Sequence, residues 1–115
     1  MSYCSDRVEA VRRLLEPVVL QWEGVATQPL YGCPAYQVDG YLFTFLVDEG
    51  IVLAHLTQAE RDRLEEQWEA AEFQAGERAI PHWLLVRLER PELVHQLLPF
   101  VRRSYEATRF FARPS

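Results

Sequence analysis

Apolar and polar positions change their period four times along this chain. Val8, Val11 and Leu15 form an i, i+3, i+7 stripe with Arg12 and Arg13 on the other side, which predicts an amphipathic helix over 5–16. Ser5 supplies an N-cap, Asp6 and Glu9 suit the positive end of the helix dipole, and Pro17 marks the stop. Val18–Trp22 continues as a turn or a short extended run. Beyond it the period drops to two. Gly24, Gly32, Gly40 and Gly50 punctuate runs of β-branched and aromatic residues at intervals of eight to ten, the mark of an antiparallel meander. Asp39-Gly40 supplies the two positive-φ positions of a type I′ hairpin, and Asp48-Glu49-Gly50 predicts a longer hairpin loop with its glycine left-handed. Between these turns Tyr41–Val47 is apolar on both sides. Tyr41, Phe43, Phe45 and Val47 fall on one face and Leu42 and Leu46 on the other, as expected of a central strand covered twice.

The helical period returns at Thr57-Gln-Ala-Glu60, a capping box that opens a second helix running to about Ala70. Its apolar side is thin, with Leu64, Trp68 and Ala71, so most of it should be wet. Phe73 starts a short strand before the Gly76 loop. Ile80–Leu88 is predicted as a strand with Leu84, Val86 and Leu88 inward and Trp83, Leu85 and Arg87 opposite. From Pro91 onward Leu93, Val94, Leu97, Leu98, Val101, Tyr105 and Thr108 follow helical spacing, with Pro99 as a kink or a second helix start. The order α-β-β-β(-β)-α-β-α defines one α+β domain over 1–115. We expect a two-layer sandwich in which about five antiparallel strands pack against helices.

Composition adds exclusions. With 115 residues, 49% of them hydrophobic and 25% charged, the chain can close a single core. No apolar run approaches the roughly 20 residues that span a bilayer, and the first residues lack the apolar stretch of a signal peptide. These features predict a cytoplasmic protein that does not engage membranes. Cys4 and Cys33 lie far apart with no C-x-x-C spacing, so both are expected as free thiols in a reducing compartment. Lysine and asparagine are absent. That removes Schiff-base chemistry, a pyridoxal anchor, a Walker-type phosphate loop and any N-glycosylation acceptor.

At Gly32-x-Pro34-Ala35-Tyr36-x-Val38-x-Gly40-x-x-Phe43, followed by His82-Trp83 and Ser104-Tyr105-Glu106, the chain resembles the MmcQ/YjbR family. The similarity runs from about the first helix to Ala107. It implies an antiparallel sheet flanked by helices, of the kind shared with type III secretion chaperones. It also brings the label of DNA binding through a double-wing topology, an inference from fold rather than from a site. Many relatives carry a basic residue in the loop before His-Trp, a part that only Arg78 can play here. A weaker similarity, to the N-terminal domain of TfoX-like competence regulators, rests on the hairpin alone.

The chemistry-bearing residues form no recognisable catalytic set. Ser104 lies inside a helix rather than on a nucleophile elbow. His55, His82, His95 and Cys33 sit on separate elements without ligand spacing, so neither metal nor cofactor is expected. Nucleic-acid affinity comes chiefly from basic residues on phosphates. The net charge is −5 and no lysine or arginine lies between Arg13 and Arg61, so the hairpins would repel a duplex. Only the C-terminal helix, with Arg102, Arg103 and Arg109, offers a basic patch. Aromatic residues remain. Tyr31, Tyr36, Tyr41, Trp83 and Phe110 exceed what one small core requires. The expectation is a non-enzymatic binding domain that recognises a small molecule, a protein partner or a second copy of itself over its sheet face. Tyr36, Tyr41, Arg78, His82 and Trp83 are its candidate residues. The alternative is a weak DNA-binding accessory protein that uses Arg102, Arg103 and Arg109. An enzyme built on His82, Arg78 and a tyrosine is the third reading.

Overall fold

Ser5 caps the first helix as its sequence predicts, its hydroxyl accepting from the Val8 amide at 3.4 Å. The computed structural model describes residues 5–30, 32–75 and 78–112, with the backbone alone at 75, 78–81, 111 and 112. Helix α1 spans Asp6–Val19 and so runs through Pro17 instead of stopping there. Val8, Val11, Leu15 and Val19 are all buried. The fourth member of the stripe gains enough burial to offset the one amide that proline removes.

Strands β1 (Val25–Thr27), β2 (Ala35–Val38), β3 (Tyr41–Val47) and β4 (Gly50–Ala54) form the expected meander. The chain then crosses through α2 (Gln58–Glu65) and returns as the hairpin of β5 (Ala70–Ala75) and β6 (Arg78–Arg87). Here β6 inserts beside β4, giving one antiparallel six-stranded sheet in the order β1-β2-β3-β4-β6-β5. A 3-10 turn at Pro91–Leu93 leads into α3 (Val94–Ala112), which is unbroken at Pro99. The architecture is the predicted α+β sandwich, with one strand more than expected.

Three local departures have physical causes. The second helix ends at Glu65 rather than near Ala70, because Leu64 is its only buried residue and nothing apolar carries it further. The freed residues Ala70–Ala75 pair with β6 instead. On β3 the register shifts opposite Tyr36 and Gln37, whose partners are Thr44 and Leu42, so Phe43 is an inserted bulge residue. The bulge breaks the simple alternation. Phe43 and Leu46 join the helix-side core, while Leu42, Phe45 and Val47 turn to the other face.

The third departure is at the β3–β4 turn. Asp39 (φ 54°) and Gly40 (φ 87°) take the left-handed conformation their hairpin demands, but Gly50 does not. Val47 pairs directly with Gly50, leaving Asp48 and Glu49 as a two-residue loop. Glycine is needed at 50 for a different reason. A Cβ there would lie 2.0 Å from the Val86 carbonyl oxygen and 2.9 Å from the Leu88 nitrogen.

The main core lies between the sheet and the helices. Trp22, Phe43 and Tyr105 form its aromatic centre, with ring centroids 5.2 to 6.4 Å apart. Ser104 fastens α3 to the sheet. Its buried hydroxyl accepts from the Ala54 amide at 3.0 Å and lies 2.7 Å from the carbonyls of Phe43 and Ala54, either of which can take its one proton. No described helix is long and apolar enough to cross a membrane.

Candidate functional site

All the described helices contribute side chains to the core on one side of the sheet, and none contributes to the cluster on the other. That second cluster is built from strand positions and one loop residue. Ala35, Phe45 and Val52 are buried, and Leu30, Leu42, Val47, Phe73, Trp83 and Leu85 lie half-buried over them. The bulge at Phe43 is what turns Phe45 outward. Phe45 meets Phe73 edge-on at 5.1 Å and 84°, and meets Trp83 at 5.1 Å and 67°. Phe73 and Trp83 are 6.0 Å apart. Such edge-to-face contacts hold aromatic rings in fixed poses. The hollow among Leu42, Phe45, Val52 and Trp83 has no room for even a water molecule, whereas small-molecule pockets enclose roughly 300–1,000 Å³. The face is a shallow apolar surface with a rigid aromatic centre.

Of the residues expected on this face, Trp83 is there. Tyr36 is not. The β2 register sets Ala35 opposite Phe45 on the open side and turns Tyr36, opposite Thr44, under the helices. Tyr36 is fully buried and donates its hydroxyl to Glu16 at 3.1 Å. Burial and the neighbouring Glu16 carboxylate push its phenol above the ordinary range. Glu16 is held by Arg12 at 2.7 Å, and Arg12 also binds Glu9, whose carboxyl is thereby lowered. Tyr36 is therefore a core residue anchored to α1. Tyr41 lies beside the Asp39-Gly40 turn, 48% exposed and packed in neither cluster. The side chain of Arg78 lies outside the described residues, as does Tyr31.

His82 belongs to an arrangement the sequence did not suggest. It and His55 both adopt left-handed backbone conformations, with φ of 72° and 61°. The His55 amide donates to the His82 carbonyl at 2.8 Å, and the two rings stack with centroids 6.0 Å apart and planes 24° from parallel. Thr108 of α3, fully buried, places its hydroxyl 3.1 Å from His55 Nδ1. Burial, and then the neighbouring His82, lower the His55 pKa. Two non-glycine residues at positive φ cost free energy that the surroundings must offset. The available signal was the residue type at both positions, one just past the end of β4 and one inside β6, since histidine tolerates this conformation better than most residues. Among the described residues no three metal-binding side chains converge.

The arginines of the C-terminal helix are committed within the chain. Arg102 lies over the rings of Trp22 and Tyr105 at 5.1 and 4.7 Å and pairs with Glu106 at 3.7 Å. Arg103 approaches Glu60 at 3.7 Å. Arg109 donates to the Tyr105 hydroxyl at 3.1 Å and faces Glu23 at 3.8 Å. Cys33 is disulfide-bonded, which corrects the expectation of a free thiol there; Cys4 lies outside the described residues. Phe110, one of the aromatic residues beyond what the core requires, is 79% exposed.

The structure thus defines an α+β domain with one finished and one open sheet face. Comparison with known protein families, with characterised proteins and with solved structures finds no match to this chain.

Proposed function

We propose that this chain is a non-enzymatic binding domain of MmcQ/YjbR-like type that docks an apolar protein surface on its open sheet face. One observation carries this reading: no described helix covers the Phe45–Phe73–Trp83 face. Protein interfaces centre on rigid aromatic anchors, whereas small molecules need a concavity. The shallowness of the face therefore favours a protein, including a second copy of this chain, over a small ligand. A buried Ser104 hydroxyl spent on tying helix to sheet supports a binding role rather than a catalytic one. The intramolecular partners of Arg102, Arg103 and Arg109 weigh against DNA binding through that helix, because salt-bridged arginines have less charge to offer phosphate.

The test uses light scattering and an apolar fluorescent dye on wild type and Leu85→Glu, a change confined to the half-buried rim of the face. Two results support the proposal. Wild type is a dimer that the variant splits, or it is a monomer whose face binds the dye and loses that binding in the variant. A monomer that binds no dye, or binds it equally in both proteins, refutes it.

A further inference from the structure

At the end of the sheet away from His55 and His82 lies a cleft of about 590 Å³, within the size range of small-molecule sites. Nothing in the docking face extends to it. Its apolar wall comes from Trp68, Leu88 and Leu93. Asp48, Glu49, Glu69 and Glu89 stand around that wall, against the two guanidiniums of Arg7 and Arg87.

The positive charges are outnumbered, four carboxylates against two guanidiniums. Arg7 donates to the Leu88 carbonyl, and Arg87 lies 4.0 Å from Glu69. Asp48 accepts from the Ser5 amide at 3.3 Å. The side chains of Glu49 and Glu89, by contrast, form no hydrogen bond or ion pair among the described residues.

The frame holding these groups is built rather than loose. The Leu88 amide donates to the Glu49 carbonyl at 3.1 Å, and the Arg87 amide donates to the Glu69 carbonyl at 2.9 Å. The end of β6 therefore fixes the β3–β4 turn on one side and the α2–β5 turn on the other. Gly50 lets the first of these approach, since any Cβ there would strike the β6 backbone. Two unpaired carboxylates are thus mounted on a hydrogen-bonded scaffold beside an indole. An amine or guanidinium on a short apolar stem matches that set. Its charge meets Glu49 and Glu89, and its stem lies along Trp68 and Leu93, where a cation also gains from the face of an indole.

We infer that this cleft is a binding site for a small organic cation, an amine or guanidinium carried on an apolar stem. Cadaverine is the probe, titrated calorimetrically into the full chain, with its uncharged diol analogue and magnesium chloride as controls. The expected result is saturable one-to-one binding of cadaverine and none of the diol. The double variant Glu49→Gln/Glu89→Gln, changed only at exposed side chains, should bind about tenfold more weakly with an unchanged melting temperature. Three results would overturn the inference: no saturation with cadaverine, equal affinity in the double variant, or displacement of cadaverine by magnesium at equal concentration. The last would mark diffuse charge attraction without a role for the apolar wall.

Discussion

Phe43 and Phe45 are two residues apart on one strand, yet they live in different environments. Phe43 is fully buried and shares its centre with Trp22 and Tyr105, under α3. Phe45 is also nearly sealed, at 4% exposure, but by strand neighbours such as the half-buried rings of Phe73 and Trp83 and by no described helix. The helix-covered face spends polar groups on closure. Ser104 bonds two strands, Tyr36 reaches Glu16, and Tyr105 donates to the Glu23 carbonyl at 2.6 Å. The open face has no such ties among its cluster residues, which are all apolar. A surface built for stability alone would carry polar residues at alternate strand positions, where water supplies the partners. The apolar second face, which no described helix covers, is the feature on which the proposed docking rests.

That contrast predicts unequal losses. Replacing Phe43 by alanine removes a ring with no exposed surface and should cost about 3–5 kcal/mol. Phe73→Ala, at the edge of the open cluster, should cost about 1–2 kcal/mol, because its ring is only partly removed from water. Urea unfolding of the two variants gives the comparison directly. Equal losses would mean that the open face is as much a core as the covered one, and its reading as a docking surface would fall.

A smaller effect tests what fastens the covered face. Ser104→Ala leaves the Ala54 amide without its hydroxyl acceptor and removes the donor shared by the Phe43 and Ala54 carbonyls, all in a dry site. The expected loss is about 1–3 kcal/mol, with amide exchange at Ala54 accelerated more than exchange elsewhere on β4. A variant as stable as wild type, with unchanged exchange, would show that the helix is held by apolar packing alone.

Much of this arrangement was legible in the residues. Asp39-Gly40, the capping box at Thr57 and the alternation along Trp83–Leu88 each produce the structure they predict, because local sterics or hydrogen bonds decide them. The face of Tyr36 was not legible. Alternation places residues on faces only while the register is regular, and the bulge at Phe43 resets it by a contact with β2 that no local pattern encodes. Pro17 misled for a related reason: the tertiary burial of Val19 outweighs a local stop signal. Of the candidate site, Trp83 and His82 were found from sequence. Phe45 and Phe73, the neighbours of Trp83 in space, come from strands whose order depends on β6 inserting between β4 and β5. The His55–His82 stack is equally a product of that insertion.

The smallest expected effect lies at that stack, where both faces give way to a strand end. Burial and His82 hold the His55 pKa below its ordinary 6.5. Between the folded and unfolded values the unfolded chain binds more protons, so stability must rise with pH across that window. The contribution is complete above about pH 6.5, and it is lost as pH falls through the lowered folded value. His55→Asn keeps a side chain that tolerates φ near 61° but cannot titrate. Unfolding midpoints of wild type and variant, measured from pH 8 down to pH 5, cancel the carboxylates common to both. The advantage of wild type over variant should shrink on acidification. A difference that stays flat, or widens, would show that the ring is solvated at its Thr108 contact and that its neutral form is not what the fold selects.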